Sequence, residues 1–262
     1  MTRKFDFQIQ AQPDETTCGP SCLASVFRYF GDDVELGEVI RETPSLDSGG
    51  TLAVLMGSYA MRRGYSVRIF TYNLRVFDPT WFKAINGGPD AAATDDRYPA
   101  GTLRPVVDLV AKLEAQRLAK RSIRLQAACQ AYIEYIQAGG EVLMHELNRE
   151  LLQFFLNRDI PLLTGLSSTW LYQCARQIGR TNQPDDVRGD PEGHFVVIHG
   201  YDTVRDQVNV ADPWLPNPFP NSDGNKSFYK VGMDRLESAV LLGVLTYDSN
   251  LMVVEPVDKP AV

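Results

Sequence analysis

Apolar residues near the start of the chain recur at three- and four-residue spacing: Leu23, Val26, Phe27 and Phe30. That spacing predicts a short helix over residues 20–30 with one buried face, Pro20 in its first turn and Gly31 at its stop. A second short helix is expected over 34–41 and a third over 52–63, entered through a turn at Ser48, Gly49 and Gly50 and ended by Gly64. Tyr65 to Tyr72 then alternates apolar and polar as a half-buried strand does. The pattern dissolves over 78–101, a loop-rich stretch. It returns over 103–137, where Ala, Leu, Arg, Gln and Glu predict a long helix with room for one break, stopped by Gly139 and Gly140.

Further on, His145 to Asn157 reads as helix and Ile160 to Leu166 as a strand. Residues 179–193 are a polar loop without a period. His194 to Tyr201 and Gln207 to Ala211 read as strands across a short polar turn. Asp212 to Asn225 is a Pro/Asn-rich loop, Val231 to Leu242 a helix, and Asn250 to Glu255 a last strand. Helices come first and strands gather late. The expected fold class is therefore α+β, an N-terminal helical part packed on a C-terminal antiparallel sheet. Residues 1–262 are expected to form one domain, with 76–140 as an inserted helical piece that could cap a cleft or make a homo-oligomer or partner contact.

Composition narrows the function classes. A chain that is 44% hydrophobic and 23% charged can build a real core. Its net charge of −7 argues against sequence-independent binding to nucleic acid or to an anionic membrane, both of which need a basic surface. The opening MTRKFDFQIQAQPDE has no apolar core, so no secretory leader is expected, and no run of apolar residues is long enough for a membrane span. Four cysteines, Cys18, Cys22, Cys129 and Cys174, are too sparse for a disulfide scaffold, which favours a reducing cytoplasm. Cys18 and Cys22 invite a zinc reading, but no second pair with ligand spacing follows. No metal and no cofactor are expected.

The chemistry gathers around Cys18. It lies at the start of the first predicted helix, where unpaired backbone N–H groups and the positive end of the helix dipole favour thiolate. Gly19 beside it allows close backbone approach and is a candidate substrate contact, and Gln12, six residues upstream, could fold back and donate to an oxyanion. A free cysteine is also often a small buried hydrophobe. Three histidines are available as a base: His145, His194 and His199. His145 opens a predicted helix and suits the surface or a cap. His199 lies five residues after His194 on the opposite strand face and suits a half-buried position. His194 follows a Gly-containing loop and opens a strand. Asp212 ends the next strand, and antiparallel pairing would bring the two together. A carboxylate so placed holds an imidazole's tautomer and stabilises its protonated form.

Gln12, the run DETTCGP from Asp14 to Pro20, His194-Phe195-Val196-Val197 and Asp212-Pro213 together resemble the papain-like cysteine peptidases related to the bacteriocin-processing, double-glycine-leader peptidases. Weaker similarity runs through 48–65 and 158–166, and 76–140 has no counterpart. The resemblance implies a papain-like fold, a peptide or protein substrate and cleavage of a peptide or amide bond. It implies Cys18 as nucleophile, His194 as general base and acid, Asp212 as its orienter and Gln12 in the oxyanion hole. The chain carries neither the membrane spans nor the nucleotide-binding domain of the transporter-linked members, so a stand-alone hydrolase is expected. Two alternatives stand beside it: a transferase that passes the same thioester to an amine, and a catalytically silent peptide-binding module.

Other residues carry two readings each. Trp170, Tyr172, Trp214 and Phe219 could line a substrate pocket, Trp170 and Trp214 foremost, or could pack under long loops. Cys22, one helical turn past Cys18, suits packing, with a regulatory disulfide as the sharper idea. The acidic loop of Asp185, Asp186, Asp190 and Glu192 could select basic substrates, cover the cleft, or simply be solvated. Arg117 to Arg124 reads as a solvated helix face.

Overall fold

The computed structural model describes residues 2–45, 50–84, 96–219 and 226–257. The expected turn residues Ser48 and Gly49, part of the 78–101 stretch and the end of the 212–225 loop lie outside these residues. Helices are α1 (Cys18–Tyr29), α2 (Leu36–Glu42), α3 (Ala53–Arg62), α4 (Leu109–Ala119), α5 (Ile123–Gln137), α6 (Arg149–Leu156), α7 (Ser168–Tyr172) and α8 (Met233–Leu242). Strands are β1 (Thr2–Lys4), β2 (Tyr65–Thr71), β3 (Phe82–Ala84), β4 (Leu103–Pro105), β5 (Glu141–Leu143), β6 (Leu162–Ser167), β7 (Gln177–Ile178), β8 (Gln183–Pro184), β9 (Gly193–Asp202), β10 (Gln207–Ala211), β11 (Phe228–Gly232) and β12 (Asn250–Pro256).

The architecture is α+β. The main sheet runs β11-β10-β9-β6-β12-β2-β5, with β1 pairing the far end of β9. All its pairs are antiparallel except β2 with β5, so the sheet is mixed. It also draws β1, β2 and β5 from outside the C-terminal part. Side-chain alternation divides the core between its two faces. Val67, Ile69, Leu163, Phe195, Val197, Met252 and Val254 face α1, α3 and α5. Phe70, Leu162, Leu166, Val196, Ile198, Leu251 and Val253 face α6 and α8. Helices thus cover both sides of the sheet rather than one.

Helix α1 is buried almost throughout: Cys22, Leu23 and Phe27 are fully enclosed. Burying a side chain of Leu or Phe size contributes about 1.5–3 kcal/mol, so this helix is firmly seated. A Cβ on Gly19 would stand 2.7 Å from Met56 Sδ and 2.8 Å from Thr51 Cγ2, so only glycine lets α1 approach α3 this closely.

Several expected boundaries move. The long helix over 103–137 is instead β4, α4 and α5. Ser122 caps α5 by accepting from the Leu125 N–H, and Asp108 caps α4 by accepting from the Ala111 N–H. The helix expected from His145 begins only at Arg149, where Asn148 caps it, because 141–143 pairs with β2. His145 is buried between the carbonyls of Glu146 and Ala100, at 2.7 and 2.9 Å, rather than exposed. The helix expected from Val231 starts at Met233, the preceding residues forming β11 opposite β10. The loop over 179–193 carries the small β7–β8 ladder at its start. The inserted helices are not a separate body. Tyr135 of α5 donates to Val67 O at 2.9 Å, and Cys129, Tyr132 and Ile133 share one core with α1 and α3.

Candidate active site

The site forms where the start of β9, the end of β10 and the start of α1 meet. Cys18 is the first residue of α1, behind Thr17, whose side chain makes no capping bond to the helix. Ser21 is the first residue of the turn to donate backward, to Thr17 O at 3.0 Å. Among the described residues the N–H groups of Cys18 and Gly19 donate to nothing, and Pro20 has no N–H to give. Two orphan donors therefore sit beside the Cys18 thiol. Asp14, through its carbonyl and carboxylate, and Thr17 fold the preceding turn on itself, with Thr17 Oγ1 donating to Asp14 O at 3.0 Å and the Thr16 N–H to Asp14 Oδ1 at 2.8 Å.

His194 lies opposite Leu166 of β6, buried to 6% exposure, and its Nε2 stands 2.9 Å from Asp212 Oδ1. Asp212 is completely buried yet fully satisfied. Its Oδ1 also accepts the Trp214 N–H at 2.9 Å, and its Oδ2 accepts the hydroxyls of Tyr172 at 2.6 Å and Tyr229 at 2.8 Å. Burial opposes ionisation of this carboxyl, but His194, Tyr172 and the Trp214 N–H hold it below the ordinary carboxylate range. Burial likewise works against a charged His194. The Asp212 carboxylate and the Cys18 sulfur outweigh it and push the imidazole up to about 10. With Nε2 given to Asp212, Nδ1 is the nitrogen left for the Cys18 side, and both residues line one cleft.

The remaining histidine and cysteines have other surroundings. His199 is fully rather than half buried, packed against Phe7 and Phe228, and burial lowers it to about 4. Cys22 is fully enclosed, lies 3.3 Å from Phe195 O, and has its thiol driven well up by burial. It serves the core and is a free thiol. Gln12 donates its backbone N–H to Pro213 O at 2.9 Å, fastening the N-terminal segment to the loop that carries Asp212. Its amide gives one N–H to Asp14 O at 2.8 Å and keeps a second.

Two hollows meet at His194. A small one of about 100 Å³ is lined by Gln12, Tyr172, Cys174 and Trp214. A larger cleft of about 850 Å³ contains Cys18 and runs past Thr51, Glu192, Thr246 and Asp248. Of the residues singled out for substrate, Trp214 lines the small hollow, its ring 6.4 Å from His194. Trp170 stands 45% exposed on α7, outside both linings, and Gly19 is closed off by α3. Tyr172 turns out to hold Asp212 rather than to line the cleft alone. Tyr229 has no place in the sequence reading, because residues around it look like loop until the alternation Phe228-Tyr229-Lys230-Val231 is set against β10. Arg124, read as part of a solvated face, reaches the cleft and donates to Thr246 O at 2.7 Å. A separate cleft of about 440 Å³ around Arg68 and Glu255 lies at the opposite end of β12 from the Cys18 site and is lined by neither cysteine nor histidine.

Among the described residues no group of three His, Cys, Asp or Glu side chains is arranged to hold a metal, and no helix is long and apolar enough to cross a membrane.

No protein-family model matches the chain, and no curated protein matches it. Solved structures do. The chain is similar to a putative C39-like peptidase from Bacillus anthracis, at 12% identity and a TM-score of 0.47 over 99% of this chain and all of that one. Similarity to xylellain, a cysteine protease from Xylella fastidiosa, is at 15% identity and a TM-score of 0.44 over 98% and 86%. The peptidase domain of Streptococcus ComA, a bi-functional ABC transporter involved in a quorum-sensing pathway, is similar at 13% identity and a TM-score of 0.42 over 96% and 99%.

Proposed function

We propose that this chain is a cysteine peptidase or amide hydrolase, with Cys18 as nucleophile, His194 as general base and acid, and Asp212 as the group that orients His194. One observation carries the reading. A fully buried carboxylate accepts from His194 Nε2, and the same imidazole shares the wall of a cleft large enough for peptide with a cysteine at a helix start.

The chemistry follows from that arrangement. The imidazolium and the helix start both favour thiolate at Cys18. Thiolate adds to the substrate carbonyl carbon, and the electron pair moves onto oxygen. The Cys18 N–H, free of any acceptor among the described residues, is the proposed first donor to that oxyanion. The second N–H of the Gln12 amide is the proposed companion donor, the first being taken by Asp14 O. Collapse of the adduct breaks the C–N bond, and the amine leaves with the proton held on His194. Water then attacks the thioester, giving its proton to His194, and the acid departs as thiolate is restored. Asp212 keeps its charge throughout, and Tyr172 and Tyr229 hold it still.

The test is incubation with a diverse peptide library and mass analysis of the products. Cleavage is expected with the native protein and a loss of about 1,000-fold or more on Cys18→Ala or His194→Ala. Hydrolysis that persists in Cys18→Ala sinks the assignment. Products carrying an added amine in place of water would make the chain a transferase through the same thioester.

A further inference from the structure

One wall of the larger cleft, at Thr246 and Asp248, is a turn that the sequence does not advertise. Residues 243–245 form a short 3-10 helix, and Tyr247 behind it has a φ of 70°, a conformation that a bulky side chain adopts only under constraint. The constraint is visible. Arg124 from the inserted helix α5 donates to Thr246 O at 2.7 Å, and the Asp248 N–H reaches back to Gly243 O at 2.9 Å. The Tyr247 ring lies under the Arg75 and Arg124 guanidiniums, 5.7 and 5.0 Å from its centroid. So held, the turn delivers one side chain to the cleft, that of Asp248.

Asp248 is 7% exposed and yet lines the cleft that contains Cys18 and His194. Its carboxylate lies over Gly193, the residue before His194: a Cβ there would fall 1.8 Å from Asp248 Oδ2. Among the described residues no cation stands within ion-pair distance of Asp248 or of Glu192, which lines the same cleft. The neutral Thr246 hydroxyl beside Asp248 donates to Gly243 O at 3.2 Å, and Arg124 spends its guanidinium on Thr246 O and the Tyr247 ring. Asp14, Glu15 and Asp190 line the cleft too, against Arg124 as its one described Lys or Arg. Arg124 and His194 offset the burial of this carboxyl only in part, and a bound cation would offset more of it.

We propose that Asp248, seconded by Glu192, is the specificity determinant of this cleft, and that it takes a peptide presenting a protonated amine or guanidinium beside the reacting bond. The inference rests on the cleft being the peptide site of the proposed hydrolase, but it concerns binding. Burial raises Asp248 to about 7, so near neutral pH a bound cation would draw it into the charged form. The cation can be a Lys or Arg side chain or a free amino terminus, since the carboxylate recognises the same chemistry in each.

The test uses the Cys18→Ala protein, which binds without cutting, and fluorescent peptides on one neutral scaffold with Lys, Arg, Gln or Leu at each position, amino termini free or acetylated. Binding is read by anisotropy. At one position Lys or Arg is expected to bind about tenfold or more tighter than Gln or Leu, with the ratio collapsing to within about threefold on adding Asp248→Asn. Loss of the preference on acetylation identifies the amino terminus as the cation; its retention identifies the side chain. No cationic preference, or a preference that Asp248→Asn leaves untouched, overturns the proposal. Carbodiimide cross-linking of the Lys peptide to the unaltered turn covers the case in which Asp248→Asn does not fold. Linkage at Asp248 or Glu192 is expected, and linkage confined to residues outside the cleft overturns it. Peptides that bind with the cationic preference but are never cut by the native protein would remove the hydrolase and leave this inference. Cutting with no such preference would do the reverse.

Discussion

Tyr229 places its hydroxyl 2.8 Å from Asp212 Oδ2, on the side of the carboxylate opposite His194. With Tyr172 at 2.6 Å it closes off every acceptor site that His194 and the Trp214 N–H do not use. Both tyrosines are pushed well above their ordinary range, by burial first and then by the neighbouring carboxylate, so both stay protonated as donors.

Tyr229→Phe keeps the ring stacked on Phe219 and removes only the donor. The expected cost is about 1–3 kcal/mol of stability, because a buried charge loses one of its bonds. Tyr229 touches Asp212 and not the sulfur, so its effect on Cys18 passes through the His194 position. A several-fold fall in the alkylation rate of Cys18 is expected, with Tyr172→Phe doing likewise. Thermal denaturation and labelling kinetics measure the two effects. Unchanged values in both would mean that the hydroxyls merely fill space.

The reactive state of Cys18 is readable from pH. His194 is held up to about 10, with burial opposed by Asp212 and Cys18, so the imidazolium persists across the neutral range. From pH 6.5 to 9 iodoacetamide is therefore expected to label Cys18 faster than Cys174. Cys174 is exposed, and its thiol is raised chiefly by burial of the sulfur. Its rate should climb about tenfold per pH unit over the same range, as an ordinary thiol does. His194→Ala should make Cys18 behave like Cys174, slowing it at pH 7 on the order of tenfold or more. A native Cys18 that labels no faster than Cys174 at pH 7 would show that the pair is not assembled.

Local signals explain what the sequence reading recovers. The helix at Cys18 and the strands over β2, β6, β9 and β12 announce themselves through period and punctuation, since each is long and buried on at least one face. The pairing of His194 with Asp212 is legible because two adjacent strands and a short turn leave little freedom. What stays hidden depends on contacts distant in sequence. β5 is three residues long and exists because it lies parallel to β2. Tyr229 matters through register, and Asp248 through a turn fixed by Arg124, which lies 122 residues from Thr246 along the chain and reaches it by packing, not by any motif. His145 reads as a helix opener because nothing local reveals that Ala100 O will meet its ring.

Residues 76–140 look detachable in sequence, and the packing says otherwise. Tyr135 is fully buried and bonds both Val67 O and Glu141 O, at 2.9 and 3.2 Å. A Cβ on Gly57 would stand 2.9 Å from its ring, and one on Gly140 2.3 Å. Tyr135→Ala is expected to cost about 3–5 kcal/mol, the range for truncating a large buried aromatic. Gly140→Ala should also destabilise strongly, since the ring cannot retreat. Excision of residues 76–140 should leave a chain that fails to fold cooperatively. Urea denaturation reports all three, and a well-folded excised protein would restore the view of this segment as an appendage.

The turn at Asp248 makes a further expectation, one about stability rather than binding. Burial raises this carboxyl from 3.8 to about 7, with Thr246, Arg124 and His194 only partly offsetting it. The folded protein therefore holds the proton to higher pH than the unfolded chain. Between about pH 4 and 7 the unfolded state binds fewer protons, so this group lowers stability as pH rises through that window, and the loss is complete above it. At one pKa unit per 1.36 kcal/mol, the loss is on the order of 4 kcal/mol at most. Asp248→Asn removes it. The variant should match the native protein near pH 4.5, where the acid is protonated and the amide is a close mimic, and should melt higher at pH 8. A cation that binds the cleft should narrow the gap at pH 8 by stabilising the native protein alone. Scanning calorimetry at the two pH values decides it. An Asn variant less stable than the native protein at pH 8 would mean that the ionised carboxylate already contributes to the fold, and that the turn is built for structure rather than for a guest.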